Sequence, residues 1–109
     1  MSKYTELIER ANVHQSDHER KSLFWILGNN SDLYSKINHI YDFEDNSIKI
    51  ECLESSVVDL CSSSRRLIAL AFNLYNGYPA DVSDTLFVLD KDNFEIAMKA
   101  IRIRFNYIY

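Results

Sequence analysis

Apolar residues recur every three or four positions along most of the chain, which is the spacing of one face of an α-helix. In the longest such segment, from Ser62 to Gly77, they fall on nearly every side of the helix. The serines at its start can accept hydrogen bonds from free N–H groups of the first turn, and Gly77 can adopt the left-handed conformation that ends a helix. Because a helix that is apolar all round packs on more than one side, the pattern predicts a buried central helix over about 64–76. The side chains expected to be almost inaccessible are Leu70, Phe72 and Leu74.

Shorter periodic segments predict the helices that precede this one. Residues 3–12 carry apolar side chains at helical spacing and form the first helix. Ser16 begins the second, because Glu19 follows it at the spacing of a capping box, and Gly28 ends it. The segment 31–41 again has a helical apolar face, so it predicts a third helix.

The remaining segments are shorter or are bounded by stronger breaks. A polar loop over 42–47 is followed by alternating residues at 48–52, which predict a short extended piece. A short helical turn is expected over 83–89, and Asp90 is expected to cap a last helix that runs to about Phe105. The strict alternation from Ile101 to Tyr107 is the pattern of a strand, but the helix is preferred for Asp90 to Arg104 because the preceding residues follow the helical period. The tail from residue 106 onward fits a helix and a strand equally well.

Length and turn residues bear on the fold class. A chain of 109 residues favours one domain, so residues 1–109 are expected to form a single unit. With only two glycines and one proline, the chain lacks the turn residues that a protein of many short strands needs. The sequence therefore predicts an all-α fold, a single compact domain of about five to six helices around the central helix.

Two apolar stripes run along the last helix. The expected core face consists of Phe94, Ala97, Met98, Ile101 and Phe105. The opposite stripe consists of Ile96, Ala100, Ile103 and Tyr107, flanked by Lys99, Arg102 and Arg104. Clustered apolar residues on an outer face predict a contact with another protein or a homodimer, since a two-fold contact is the commonest way to cover such a stripe. The alternative is that Ala100 and Ile103 pack inside one compact domain.

The charge of the chain excludes some classes of partner. Its formal net charge is −4, which argues against nucleic acid as the main ligand and against an anionic membrane surface. The N-terminus is polar, and no apolar run approaches the ~20 residues that span a bilayer. We therefore expect a cytoplasmic protein that does not contact a membrane.

The start of the central helix is the best candidate for a binding site. Hydroxyl, backbone N–H and guanidinium groups could meet there around an anion. The candidate residues are Ser62, Ser63, Ser64, Arg65 and Arg66. The alternative interpretation is ordinary capping by one serine, with the arginines paired to acids or exposed to solvent.

Catalytic and metal-binding chemistry has little support in the sequence. Cys52 and Cys61 are not marked by any motif that supplies a partner histidine, so a hydrolase built on either is the weakest hypothesis. His14 and His18 are four residues apart, but the expected start of the second helix separates them. No catalytic residue, metal site or cofactor is therefore assigned.

Trp25 lies on the second helix, away from the apolar face formed by Leu23, Phe24 and Leu27. Aromatic residues dominate both protein cores and protein interfaces. We therefore interpret Trp25 as a second core contact, with an exposed anchor for a partner as the alternative.

Five short segments of the sequence are informative when taken together: Leu23–Leu27, Asp32–Tyr34, Ile40–Phe43, Ser62–Arg65 and Leu70–Asn76. In combination they resemble a small family of unknown function from Gram-positive bacteria and their prophages. The resemblance spans about residues 10–105, and its residues are mostly core and capping positions. It implies a phage or mobile-element setting, in which small proteins often act by binding a host protein.

These observations together predict a non-catalytic protein-interaction protein, one that inhibits a bacterial defence or regulatory protein. The surface expected to bind the partner combines Trp25 with the outer stripe of the last helix. The alternative is a small regulatory domain that binds an anion or nucleotide at the start of the central helix.

Overall fold

Eight helices and one β-hairpin form the regular structure within residues 2–56 and 58–106, the part of the chain that this computed structural model describes. The helices are α1 (Lys3–Arg10), α2 (His18–Asn29), α3 (Ser31–Ser35), α4 (Ile37–Ile40), α5 (Glu51–Glu54), α6 (Ser62–Asn76), α7 (Val82–Val88) and α8 (Lys91–Arg104). The hairpin pairs β1 (Tyr41–Asp42) with β2 (Ser47–Ile48) in antiparallel register. The domain is thus mostly helical, but the prediction of a strictly all-α fold with five to six helices is wrong.

The long buried helix lies where the sequence pattern places it. In α6, Leu70, Phe72 and Leu74 are 2%, 0% and 6% exposed, which confirms the expectation for these side chains. Gly77 ends the helix with φ +86°, a conformation that costs glycine no steric clash. The helix packs against α2, α5, α7 and α8, so its all-round apolar surface is matched by neighbours on several sides.

The helix in contact with the largest part of the fold is nevertheless α2, which packs against α1, α3, α6 and α8. Gly28 does not end this helix but is buried within it. A Cβ atom at Gly28 would lie 2.8 Å from both the backbone N and the Cα of Tyr4, closer than real Cβ atoms approach backbone. Glycine is therefore required at this position because α1 crosses α2 at backbone contact.

The start of α2 is capped by Asp17 and not by Ser16. The Asp17 carboxylate accepts a hydrogen bond from the backbone N–H of Arg20 (3.0 Å) and pairs with the Arg20 guanidinium (3.0 Å). The same guanidinium donates to the Tyr41 hydroxyl and to the backbone carbonyl of Asn46, which ties the hairpin to α2. Ser16 instead contacts the ring of His14. A carboxylate at the helix start also interacts favourably with the helix dipole, which a serine does not.

The third predicted helix is interrupted in its middle, at Lys36, and ends one residue early. It divides into α3 and α4, and Tyr41, expected on the same helical face, begins β1. Asn46 adopts a left-handed conformation (φ 56°), which lets the chain reverse within a short hairpin. The predicted extended piece at 48–52 is correspondingly short, because α5 begins at Glu51. Tyr41 is buried, with its ring edge-on to that of Phe24.

The inner and outer faces of α8 differ from the expected ones. Asp90 caps the helix as predicted, and its carboxylate accepts from the backbone N–H of Asn93 (2.9 Å). Ala97 is buried as expected, but so are Ala100 and Ile103, whereas Phe94 and Phe105 are 37% and 58% exposed. The expected core face is therefore wrong for both phenylalanines. Small alanines on the inner face let α8 lie close to α2 and α6, its principal neighbours.

Candidate functional site

The five residues of the predicted anion site lie at the start of α6, but their side chains point to different partners. Ser64 is buried, and its hydroxyl donates to the Asp32 carboxylate (3.1 Å). The ammonium group of Lys36 and then this hydroxyl hold the pKa of Asp32 below its ordinary value. Ser64 therefore links α6 to α3, and it is not free to bind an external anion.

The two arginines are half-buried and are held in place by hydrogen bonds. Arg65 donates from Nη1 to the carbonyl of Leu53 (3.1 Å) and from Nη2 to that of Ser55 (3.2 Å), at the end of α5. Arg66 forms an ion pair with Asp84 of α7 (2.7 Å), and its guanidinium also donates to the Ser62 hydroxyl. The alternative that the arginines pair with acids thus applies to Arg66, whereas Arg65 bonds only neutral carbonyls in these contacts.

A cavity of about 610 Å³, open to solvent, lies beside these arginines. Its lining residues are Leu53, Ser62, Arg65, Arg66, Ala69, Tyr78 and Pro79. Three of the five predicted anion-site residues therefore border one cavity, and Ser63 and Ser64 are not among its lining residues. The turn after Gly77 brings Tyr78 and Pro79 back beside α6. The sequence alone does not predict the direction of that turn, so it could not place these two residues at the cavity.

The thiol of Cys61 lies at the start of α6, in the position where an anion was expected. Cys61 is the exposed N-cap residue, and its Sγ is 3.4 Å from the Ser63 hydroxyl and 3.3 Å from that of Ser64. The hydrogen bond from the Ser63 hydroxyl, together with those from backbone N–H groups of the first turn, lowers the pKa of Cys61 from 9.0 to about 7. Since Ser64 has one hydroxyl proton and donates it to Asp32, Ser63 and the backbone groups stabilise the thiolate most directly. Burial raises the pKa of Cys52 to about 11.

Alkylation is therefore expected to distinguish the two cysteines by pH. With iodoacetamide, Cys61 is expected to reach half of its maximal rate near pH 7, because the thiolate is the reacting form. Cys52 is expected to remain unreacted in the folded protein over the same range, because it is buried and its pKa is about 11. Mass spectrometry of the alkylated peptides measures both rates, and Cys61→Ser is the control. A midpoint near pH 9 for Cys61 would contradict the stabilised thiolate.

The residues of the predicted interface on α8 do not form one exposed stripe. Ile103 is only 6% exposed, and Ile96 is half-buried against the core, so the expectation that both belong to an outer surface is wrong for Ile103. The alternative, in which Ala100 and Ile103 pack inside the domain, agrees with their burial. Arg102 is exposed, and Tyr107 lies outside the described residues.

Trp25 joins three helices. Its ring meets that of Tyr4 edge-on at 5.1 Å, and the ammonium group of Lys99 lies 4.5 Å from the ring centre. The residue is half-buried and packs against the core. Trp25 and Lys99, both predicted as interface residues, therefore contact each other between α2 and α8.

The most exposed large apolar side chain of the described residues is Phe87 of α7, at 88%. Sequence reasoning missed it because α7 is short, and its apolar residues at 82 and 86–88 do not repeat long enough to separate an inner from an outer face. The one available signal was a phenylalanine between acidic residues, with Asp84 before it and Asp90 after it.

The described part of the chain contains no candidate metal cluster and no candidate membrane span. No three His, Cys, Asp or Glu side chains there lie close enough together to hold a metal ion. None of the helices in that part combines the length and the apolar character needed to cross a bilayer.

Comparison with known proteins places the chain in a family but does not assign an activity. No curated protein and no solved structure gives a significant match. The sequence profile of DUF6075, a family of unknown function, matches residues 1–108, which is nearly the whole chain. The chain therefore belongs to the DUF6075 family.

Proposed function

We propose that this protein is a non-catalytic interaction protein that docks on a basic protein surface through α7. The observation that carries the proposal is the exposure of Phe87, 88% of whose surface is open to solvent on a well-formed helix. Burying such a ring in a partner's pocket would contribute roughly 1.5–3 kcal/mol. Aromatic side chains of this kind are common anchors of protein interfaces.

The helix that carries Phe87 is held firmly to the rest of the domain. Thr85 is 2% exposed, so one side of α7 is packed inward. The Asp81 carboxylate caps the helix by accepting from the backbone N–H of Asp84 (2.9 Å), and Asp84 pairs with Arg66 of α6. An anchor on a rigid element loses little conformational entropy on binding, which favours affinity.

The charge around Phe87 determines the kind of partner. Between residues 81 and 95 the chain has five acids and one base, Lys91. The acids are Asp81, Asp84, Asp90, Asp92 and Glu95, of which Asp84 is already paired with Arg66. A basic surface with an apolar pocket complements this segment, and electrostatic attraction would speed association and fix orientation. Two copies of this chain meeting through α7 would bring these acids together, so the proposed partner is a different protein.

The resemblance to prophage proteins noted above supports a more specific proposal for the cellular location and the partner. We place the protein in the cytoplasm of a bacterium, where it binds and inhibits a host defence or regulatory protein. A homodimer remains a separate prediction, and light scattering of the purified protein at high micromolar concentration tests it directly.

Affinity capture from a bacterial lysate tests the proposed docking surface. We expect the wild type to retain one stoichiometric basic protein, with retention falling as NaCl rises from about 0.05 to 0.5 M because salt screens the acidic segment. Phe87→Ala is expected to lose this protein, and Phe105→Ala, which removes another exposed phenylalanine outside the acidic segment, is expected to keep it. Equal capture by both variants would reject α7 as the docking surface.

A further inference from the structure

We infer that the cavity between α5, α6 and the turn after Gly77 binds a small organic phosphate monoester. Its volume of about 610 Å³ lies within the range of small-molecule sites, roughly 300–1,000 Å³. Its lining combines three donor side chains, Ser62, Arg65 and Arg66, with apolar groups. This inference does not rest on the proposed protein partner, because its observations concern the cavity and not Phe87; the two sites are neighbours, since Arg66 at the cavity wall pairs with Asp84 of α7.

The charge of Arg65 is the main reason for an anionic ligand. Its guanidinium is half-buried and donates to two backbone carbonyls, which carry no formal charge. Among the described residues, no carboxylate forms an ion pair with it. A partly desolvated charge without a counter-charge is unfavourable, and three of its five N–H groups are left over after these two bonds. An anion in the cavity would supply the negative counter-charge and accept hydrogen bonds from the remaining N–H groups of Arg65.

The neighbouring donors favour phosphate over other anions. Ser62, Arg65 and Arg66 are spaced three and four residues apart on α6, so they lie on one face of the helix. Among the described residues, the one carboxylate paired with Arg66 is the exposed Asp84, and the Arg66 guanidinium also donates to the Ser62 hydroxyl at the cavity wall. Planar guanidinium groups match the oxygens of phosphate in two-point hydrogen bonds, and a phosphate has enough oxygens to meet both arginines.

The apolar lining of the cavity determines the organic part of the ligand. Leu53 of α5, Ala69 of α6, and Pro79 and the ring of Tyr78 from the turn after Gly77 offer an apolar surface suited to a flat ring. The Tyr78 hydroxyl lies 3.4 Å from the Glu54 carboxylate, so negative charge is already present on that side. A second phosphate group there would be repelled, which favours a monoester over a diphosphate or triphosphate.

Titration of the ¹⁵N-labelled protein with phenyl phosphate, followed by NMR, tests the inference. We expect saturable shifts of the backbone amides of Arg65, Arg66 and Ala69, with phenyl phosphate binding about threefold or more tightly than inorganic phosphate because the ring meets the apolar wall. Arg65→Gln is expected to weaken binding by about tenfold, a typical loss for one charge-assisted pair. Lys91→Gln removes the same charge elsewhere and is expected to bind as the wild type does.

A second variant keeps the inference falsifiable if Arg65→Gln loosens α5. Ala69→Leu fills the cavity without removing any hydrogen bond and is likewise expected to prevent saturable binding. The inference is overturned if no saturable shift occurs. It is also overturned if Ala69→Leu binds phenyl phosphate as tightly as the wild type, or if the shifts are confined to Cys61 and Ser63 outside the cavity.

Discussion

Phe72→Ala is expected to lower the free energy of unfolding by about 3–5 kcal/mol, the usual cost of removing a buried aromatic ring from a close-packed core. Phe72 is fully buried in α6, and its ring meets that of Tyr78 edge-on at 5.8 Å. The loss would be a large share of the roughly 5–15 kcal/mol that stabilises a domain of ordinary size. Urea unfolding followed by circular dichroism measures the change.

The matched control for Phe72 is Phe87→Ala, the same substitution at a side chain that is 88% exposed. Its free energy of unfolding is expected to change by less than about 0.5 kcal/mol, as is usual for exposed positions. Similar losses in the two variants would contradict the assignment of Phe72 to the core and of Phe87 to the surface.

Ile103→Glu is expected to destabilise the protein by about 4 kcal/mol or more, because it removes a buried isoleucine and places a carboxyl group in its position. Ile103 is 6% exposed on the inner face of α8. If Ile103 instead belonged to a contact between two copies, the variant would remain folded and dissociate. Urea unfolding together with light scattering separates these results, since the expected outcome is loss of structure and not a folded monomer.

Arg102→Glu is the control for this prediction, because it places the same carboxyl group one residue earlier, at an exposed position. Ile103→Glu changes the charge of the last turn of α8 by one unit and Arg102→Glu changes it by two, and each unit costs about 0.3–1 kcal/mol against the helix dipole. Because the charge effect is larger in the control, any greater loss in Ile103→Glu comes from burial. An equal effect at both positions would show that Ile103 is not a core residue.

The candidate site was predictable only in part, because hydrogen-bond donors are visible in a sequence but their acceptors are not. The run from Ser62 to Arg66 indicated a group of donors at the start of a helix. Which donors remain available depended on residues distant in sequence: Asp32 accepts from Ser64, and the end of α5 accepts from Arg65. The cavity also requires Tyr78, which the turn after Gly77 brings back beside α6.

The sequence by itself determined the features that depend on neighbouring residues. The end of α6 at Gly77 and the cap of α8 at Asp90 follow from helical periodicity and from residues suited to the adjacent backbone, whereas α6 begins at Ser62 with Cys61, and not a serine, as its N-cap residue. Only the tertiary structure decided which faces are buried. Gly28 is needed because α1 crosses α2 there, and Ile103 is buried because α8 turns its alanine face toward α2. The physical reason is that periodicity defines the stripes of a helix, whereas the packing partner decides which stripe is covered.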